Sequence, residues 1–265
     1  MHPLPTPAPP APGTALLLAD LRARISLLHR VPLHTAHNIL PFGIPALDTH
    51  LPNGGIARAA LHEIEGGGAD ATYAAAATGF AAGIFARLGA PVIWCTRHDD
   101  IYPPGLALAG LLPQRLLHMR VGSDAAILLV MEESLRHPGV GAVLGEIAQL
   151  STTASRRLSL AAETSGVMAW VMRRPCYAGQ WPTAAASGLN ARTATSRWRI
   201  TPHPSAPTDI GAHAVGRARW QVDLLRARNA TPATWILDAC DATGCLALPA
   251  LLANRSPAQT ARNAA

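Results

Sequence analysis

The sequence predicts an α/β protein built on one mostly parallel sheet flanked by helices, with antiparallel strands added at the sheet edge toward the C-terminus. Three observations carry that prediction. Strand-like and helix-like segments alternate from about residue 61 to residue 174, the pattern of parallel strands joined by helical crossovers. A strand near Leu61–Ile64 runs directly into the glycine loop Gly66-Gly67-Gly68 and then into a helix, a junction at which α/β folds bind anions. And 265 residues that are 49% hydrophobic and 14% charged suffice for a large domain with a buried core, which excludes a chain disordered throughout for want of apolar residues.

Residues 1–13 carry six prolines between positions 3 and 12 and predict a solvated polyproline-like tail that lacks the basic end and apolar stretch of a signal peptide. Residues 14–38 predict an N-terminal helix and linker. Leu17, Leu21, Ile25 and Leu28 recur at spacings of four and three, with Arg22, Arg24 and Arg30 elsewhere on the wheel; such an amphipathic helix suits its own core or a groove on a partner. The α/β core is expected over 39–174. It opens on a short helix around Ile44–Asp48 and a Gly54-Gly55 turn, and after the glycine loop come a helix over about 71–88 and the strand "PVIWCT". A helix after Pro104, the strand "LLHMRV", a helix near 124–136, the strand "VGAVLGEI", a helix near 151–165 and the strand "GVMAWVMRR" complete it. The most apolar window, Tyr73–Trp94, is interrupted by Arg87, Gly89 and Pro91, so it reads as a buried helix and a strand and not as a membrane span.

Regularity ends at Pro175. Residues 175–194 are turn formers without a period and predict a flexible exposed loop. A β-rich basic part is expected over 195–253, where Trp198 and Ile200, then Trp220, Val222 and Leu224, fall on one strand face with arginines on the other. These strands are expected to be antiparallel and at the sheet edge. "TWILDACDATGCLALP" reads as a closing hairpin, and 254–265 as a polar tail.

All 22 residues in the Lys+Arg total are arginine. A chain without lysine excludes Schiff-base chemistry, protein-kinase chemistry and a phosphate loop of the usual kind, each of which needs a lysine amine. Charge is also uneven: residues 1–150 hold nine arginines against eleven acidic residues, whereas 151–265 hold thirteen against five. The second half is therefore the one expected to meet nucleic acid or an acidic protein surface. Four scattered cysteines, Cys95, Cys176, Cys240 and Cys245, make no disulfide framework and fit a reducing cytoplasm.

Against GxxxxGK[ST], the loop opens on Gly66, Gly67 and Gly68 but has Ala71 where the second glycine belongs, Thr72 for the lysine and Tyr73 for the magnesium-binding hydroxyl, and Asp70 adds a repelling charge. Glu146, at the end of "VGAVLGE", sits where an acidic metal-site residue belongs, a weak signal by itself because a strand-end carboxylate is commonly just solvated. No metal site is expected at Cys240/Cys245, which has no second pair and reads as a turn between strands, or at His34/His37, which with the neighbouring prolines reads as a solvated linker. His98 beside Asp99 and Asp100 reads as a polar loop. No catalytic residue and no cofactor are expected.

The run "ILPFGIPALDTHLPNGGIARAALHEIEG" followed by this degenerate loop resembles the opening of the RecA-like recombinase fold, and with "ARWQVDLLRARNATPATWILDACDATGCLALP" the chain is similar to the ImuA family over roughly residues 15–255. Gly43, Leu47, Asp48, Gly54, Gly55, Glu63 and Gly66 match the recombinase-like entry, and Thr96 and Arg97 stand where recombinases keep a water-activating glutamate. The resemblance implies a RecA-like body without its ATPase machinery, acting in SOS-induced translesion synthesis beside an ImuB-type polymerase-like protein and an error-prone replicative-type DNA polymerase, with RecA and single-stranded DNA as further partners. Arg197, Trp198, Arg199, Arg217, Arg219, Trp220, Arg226 and Arg228 interleave cations with aromatic faces and form the expected partner or DNA surface. Two other readings stay open. One is a divergent DNA-linked ATPase in which Arg97, Arg173 or Arg174 replaces the lysine; the other is a cell-division inhibitor like SulA, with which the family has been grouped.

Overall fold

The computed structural model describes residues 38–68, 70–174, 193–205, 207–208 and 211–249, and at 70–72, 207–208 and 211–215 the backbone alone. The expected proline tail 1–13, nearly all of the 14–38 segment with His34 and His37, most of the 175–194 loop with Cys176, and the 254–265 tail lie outside the described residues.

Ile39–Leu40 (β1) pairs antiparallel with Ile56–Ala57 (β2), and the short helix Pro45–Asp48 (α1) lies between them. The Asp48 carboxylate accepts the amides of Phe42, Gly43 and Ile44 at 2.7 to 3.1 Å, which fixes the turn that enters the domain. The alternation then proceeds as expected: Leu61–Gly66 (β3), Asp70–Ala86 (α2), Val92–Thr96 (β4), Pro103–Leu108 (α3), Leu116–Arg120 (β5), Asp124–Ser134 (α4), Ala142–Ile147 (β6), Thr152–Ser165 (α5) and Met168–Arg173 (β7). Ser123 and Ser151 cap α4 and α5 by accepting the amides of Ala126 and Ala154. Gly166, at φ 79°, ends α5 in the left-handed conformation that suits glycine. The carbonyls of Phe85, Ala86 and Ala90, at and beyond the end of α2, are taken by the Arg115 guanidinium.

Ser196–His203 (β8), Pro207–Thr208 (β9), Gly211–Val215 (β10), Arg219–Ala227 (β11) and Ala233–Asp238 (β12) follow. The main sheet has eight strands in the order β12-β11-β8-β3-β7-β6-β4-β5, while β9 and β10 pair with each other. One expectation is corrected here. β8 is not an antiparallel edge strand: it runs parallel to β3, with His62 opposite Ser196 and Ile64 opposite Trp198. Antiparallel pairing begins only at β11, which joins β8 and β12. The alternation of Trp198 and Ile200 reports which face a residue takes, and that period is the same in either strand direction. The closing hairpin is present as β12 and a return bridge from Asp238 to Ala247.

Each sheet face carries its own core. On one face Ile64, Trp94, Leu144, Trp170, Met172, Trp198, Ile200, Trp220 and Val222 pack with Phe80 and Phe85 of α2 and Leu106 of α3. On the other, Cys95, Val143, Ile147, Ala169 and Val171 pack with Ile127 and Met131 of α4 and Leu158 and Ala162 of α5. Two helical layers on a parallel sheet leave its central strands buried on both sides. No helix among the described residues is long and apolar enough to cross a membrane.

Candidate functional site

The carboxyl ends of β3, β4, β6 and β7 lie side by side, the place where parallel sheets of this class bind ligands. β3 delivers the glycine loop, but the loop is turned inward. The Gly67 amide, one of the donors a phosphate would need, is spent on the Ile200 carbonyl at 2.9 Å, so the β3–β8 ladder continues into the loop. A Cβ at Gly67 would collide with Thr201 Oγ1, and one at Gly68 would collide with the ring of Tyr73. Glycine is needed here to let Thr201 and Tyr73 approach. Asp70, Ala71 and Thr72 open α2.

Glu146 is the penultimate residue of β6, and it is not solvated. It is fully buried, its Oε1 accepts the Trp94 indole N–H at 2.8 Å, and its Oε2 accepts Arg174 at 2.6 Å. Arg174 also donates to Asp100 Oδ2 at 2.6 Å, so Asp100, expected to lie in a simple polar loop, is drawn to the strand ends. Asp99 pairs instead with Arg120, and Thr96 donates its hydroxyl to the His98 carbonyl while accepting from His118. A nucleotide phosphate with its magnesium, which recombinases of this fold hold at this junction, does not fit these residues. The cradle amide is committed, an aromatic ring packs on the loop, and the buried acid is neutralised by an arginine of the same chain.

The arginines considered as lysine replacements are engaged by carboxylates of the chain itself. Arg97 lies 3.4 Å from Asp124, and Arg174 holds Glu146 and Asp100. Arg173 stands in a charged cluster with Glu63, Glu65 and Arg197, where burial first, and then Arg197, pull its pKa down.

That cluster belongs to the sheet face opposite the tryptophans. Arg197 and Arg199 of β8 both donate to Glu65, at 2.7 Å each, and Arg197 lies 3.9 Å from Glu63. Burial raises the Glu63 carboxyl above its ordinary value, outweighing Arg197. Burial also acts to raise Glu65, yet Arg197 and Arg199 together hold it below its ordinary value. The expected partner surface is thereby divided. Trp198 is 0% exposed and Trp220 8%, both against Phe80, so neither offers a stacking face; this corrects the expectation for the two tryptophans. Arg219 pairs with Asp238 at 2.9 Å, and Arg217 spans the Ala239 and Cys245 carbonyls. Arg226 donates to the Ala194 carbonyl, and Arg228 is exposed near the β11–β12 turn. The sequence reading missed Glu65 as the holder of two arginines. Glu63-x-Glu65 in one strand and Arg197-x-Arg199 in another are complementary alternations, and that was the available signal.

No family model matches the chain. It is 36% identical over 214 residues to Protein ImuA of Caulobacter vibrioides, in both strain NA1000 / CB15N and strain ATCC 19089 / CIP 103742 / CB 15, covering 77% of this chain and 84% of that protein. Among solved structures, the crystal structure of the RadB recombinase matches with a TM-score of 0.55 at 14% identity, over 80% of this chain and 100% of that one. This likeness shows the fold, a RecA-like sheet with its flanking helices.

Proposed function

This chain belongs to the ImuA family, and from that membership we propose that it is a non-enzymatic adaptor of an SOS-induced, error-prone translesion synthesis complex, binding an ImuB-type polymerase-like protein, RecA or both. The observation that carries the non-enzymatic part is the inward glycine loop, with the Gly67 amide bound to Ile200 and the Tyr73 ring against Gly68. Phosphoryl transfer depends almost wholly on positioning and charge neutralisation, and a loop with one amide committed to the sheet and no lysine supplies less of either. The adaptor part is supported by family membership and by the excess of arginine after residue 150.

Titration of the full chain with a fluorescent ATP analogue and magnesium, followed by a hydrolysis assay with and without single-stranded DNA, tests the first part. No saturable binding and no turnover are expected. Saturable binding with DNA-stimulated turnover would sink the adaptor reading in favour of the divergent ATPase. For the second part, the charge reversal Arg228→Glu, at an exposed position, is expected to weaken capture of an ImuB-type protein severalfold, chiefly through the association rate. Wild-type capture by a set of such reversals over 217–228 would remove this surface from the proposal.

A further inference from the structure

The charged cluster at the ends of β4, β6 and β7 has no part in the adaptor reading. A fully buried carboxylate such as Glu146 is costly unless cations and donors surround it. Trp94 supplies one donor at 2.8 Å and one arm of Arg174 supplies a cation at 2.6 Å. The other arm of the same guanidinium reaches Asp100 at 2.6 Å. The Arg174 side chain is itself only 9% exposed. One positive group thus bridges two carboxylates borne by different segments. Oxygens from separate carboxylates that converge on one positive centre at sheet strand ends are also the donor set a hard divalent cation takes.

The geometry points to Arg174 as a tethered counter-cation that stands in the place of a divalent ion between Glu146 and Asp100. It fastens the connection from β4 to α3, where Asp100 resides, to the ends of β6 and β7 without metal. A covalently attached cation needs no ligand concentration to be bound, so this part of the fold is set permanently. The inference stands on the cluster alone and does not depend on what the protein captures.

The test compares the full-length wild-type chain with Arg174→Met, Glu146→Gln and the double variant, by thermal unfolding with and without Mn²⁺ and by electron paramagnetic resonance of the bound ion. The wild-type Tm is expected to be unmoved by Mn²⁺. Arg174→Met is expected to lower Tm by roughly 5 °C or more, because a buried carboxylate loses a counter-charge at 2.6 Å, and Mn²⁺ is expected to restore much of that loss. The double variant should be more stable than Arg174→Met and should no longer respond to Mn²⁺, since the buried negative charge has been removed along with the arginine. An Arg174→Met chain as stable as wild type, or one indifferent to Mn²⁺, overturns the assignment. So does a wild-type chain that binds Mn²⁺ and loses that binding on Glu146→Gln. If Arg174→Met does not fold, the double variant decides: recovery of folded protein supports the assignment, and equal failure overturns it.

Discussion

Protonation of His62 opposes folding. The ring is fully buried beside Trp170, its Nε2 donates to the Ala57 carbonyl at 2.7 Å, and its Nδ1 accepts from the Ser196 hydroxyl at 2.6 Å, an oxygen that in turn accepts the Trp198 indole N–H. Neutral imidazole satisfies every group in that chain, and burial lowers its pKa from 6.5 to about 4 against the smaller effect of the Ala57 bond. The unfolded chain binds this proton near pH 6.5 and the folded chain only near pH 4. The contribution to stability is therefore complete above the unfolded value and is lost as pH falls through the folded one, on the order of 3 kcal/mol in all. Urea unfolding over this window should show stability rising with pH, and His62→Gln should remove about one proton from that slope; an unchanged slope contradicts the assignment. The two neighbouring carboxylates of β3 should behave oppositely. At neutral pH, Glu65→Gln is expected to cost about 1–3 kcal/mol, since two arginines lose their shared counter-charge and one acceptor oxygen, whereas Glu63→Gln should be neutral or stabilising because it removes a charge that burial disfavours. Equal losses in denaturant unfolding would refute this contrast. His62 and Glu63 were visible in the sequence as residues of an apolar strand, but the distance to Ser196 or Arg197 along the chain hid their partners.

Within α2, glycines at 79 and 83 interrupt an alanine-rich run, and each costs about 1 kcal/mol against alanine in a helix interior. Their role lies outside the helix. A Cβ at Gly79 would press on the Trp220 ring at 3.2 Å, and one at Gly83 would collide with Cys240 and crowd the Gly244 carbonyl. Gly83→Ala is thus expected to lose about 1–3 kcal/mol through overpacking despite its better helix propensity. Gly139→Ala, in open space, should stay within about 0.5 kcal/mol of wild type. A stabilised Gly83→Ala chain in thermal unfolding would show that propensity outweighs the close approach. Helix and strand order along 61–174 was legible because periods of 3.6 and 2 are local properties. The direction of β8 was not, because the alternation of Ser196, Trp198 and Ile200 is identical in parallel and antiparallel pairing.

For the molecule as a whole, β8 is the strand that ties the two parts of the chain together. It lies against β3 in the interior of the eight-stranded sheet, and Trp198 packs on Phe42 and Phe80. A chain ending at residue 194 would leave the outer edge of β3 and the α2 face of the core exposed, so it should lose cooperative unfolding and aggregate. A truncated chain with a cooperative thermal transition and the near-ultraviolet signature of packed tryptophans would contradict this. Loss of partner capture by such a truncation would therefore report unfolding, and point substitutions on the intact sheet are the better probe of the proposed surface.

By itself, the sequence determined the α/β class, the order of the elements, the strand faces and the absence of any lysine, since all of these follow from composition and short-range periodicity. Only the tertiary structure decided that the glycine loop closes on Thr201 and Tyr73, that Glu146 is held by Arg174 and through it meets Asp100, and that Trp198 and Trp220 lie inside. These are pairings between residues far apart in the chain. They depend on which strand settles beside β3 and on how each buried charge finds its counter-charge, and no local pattern encodes either choice.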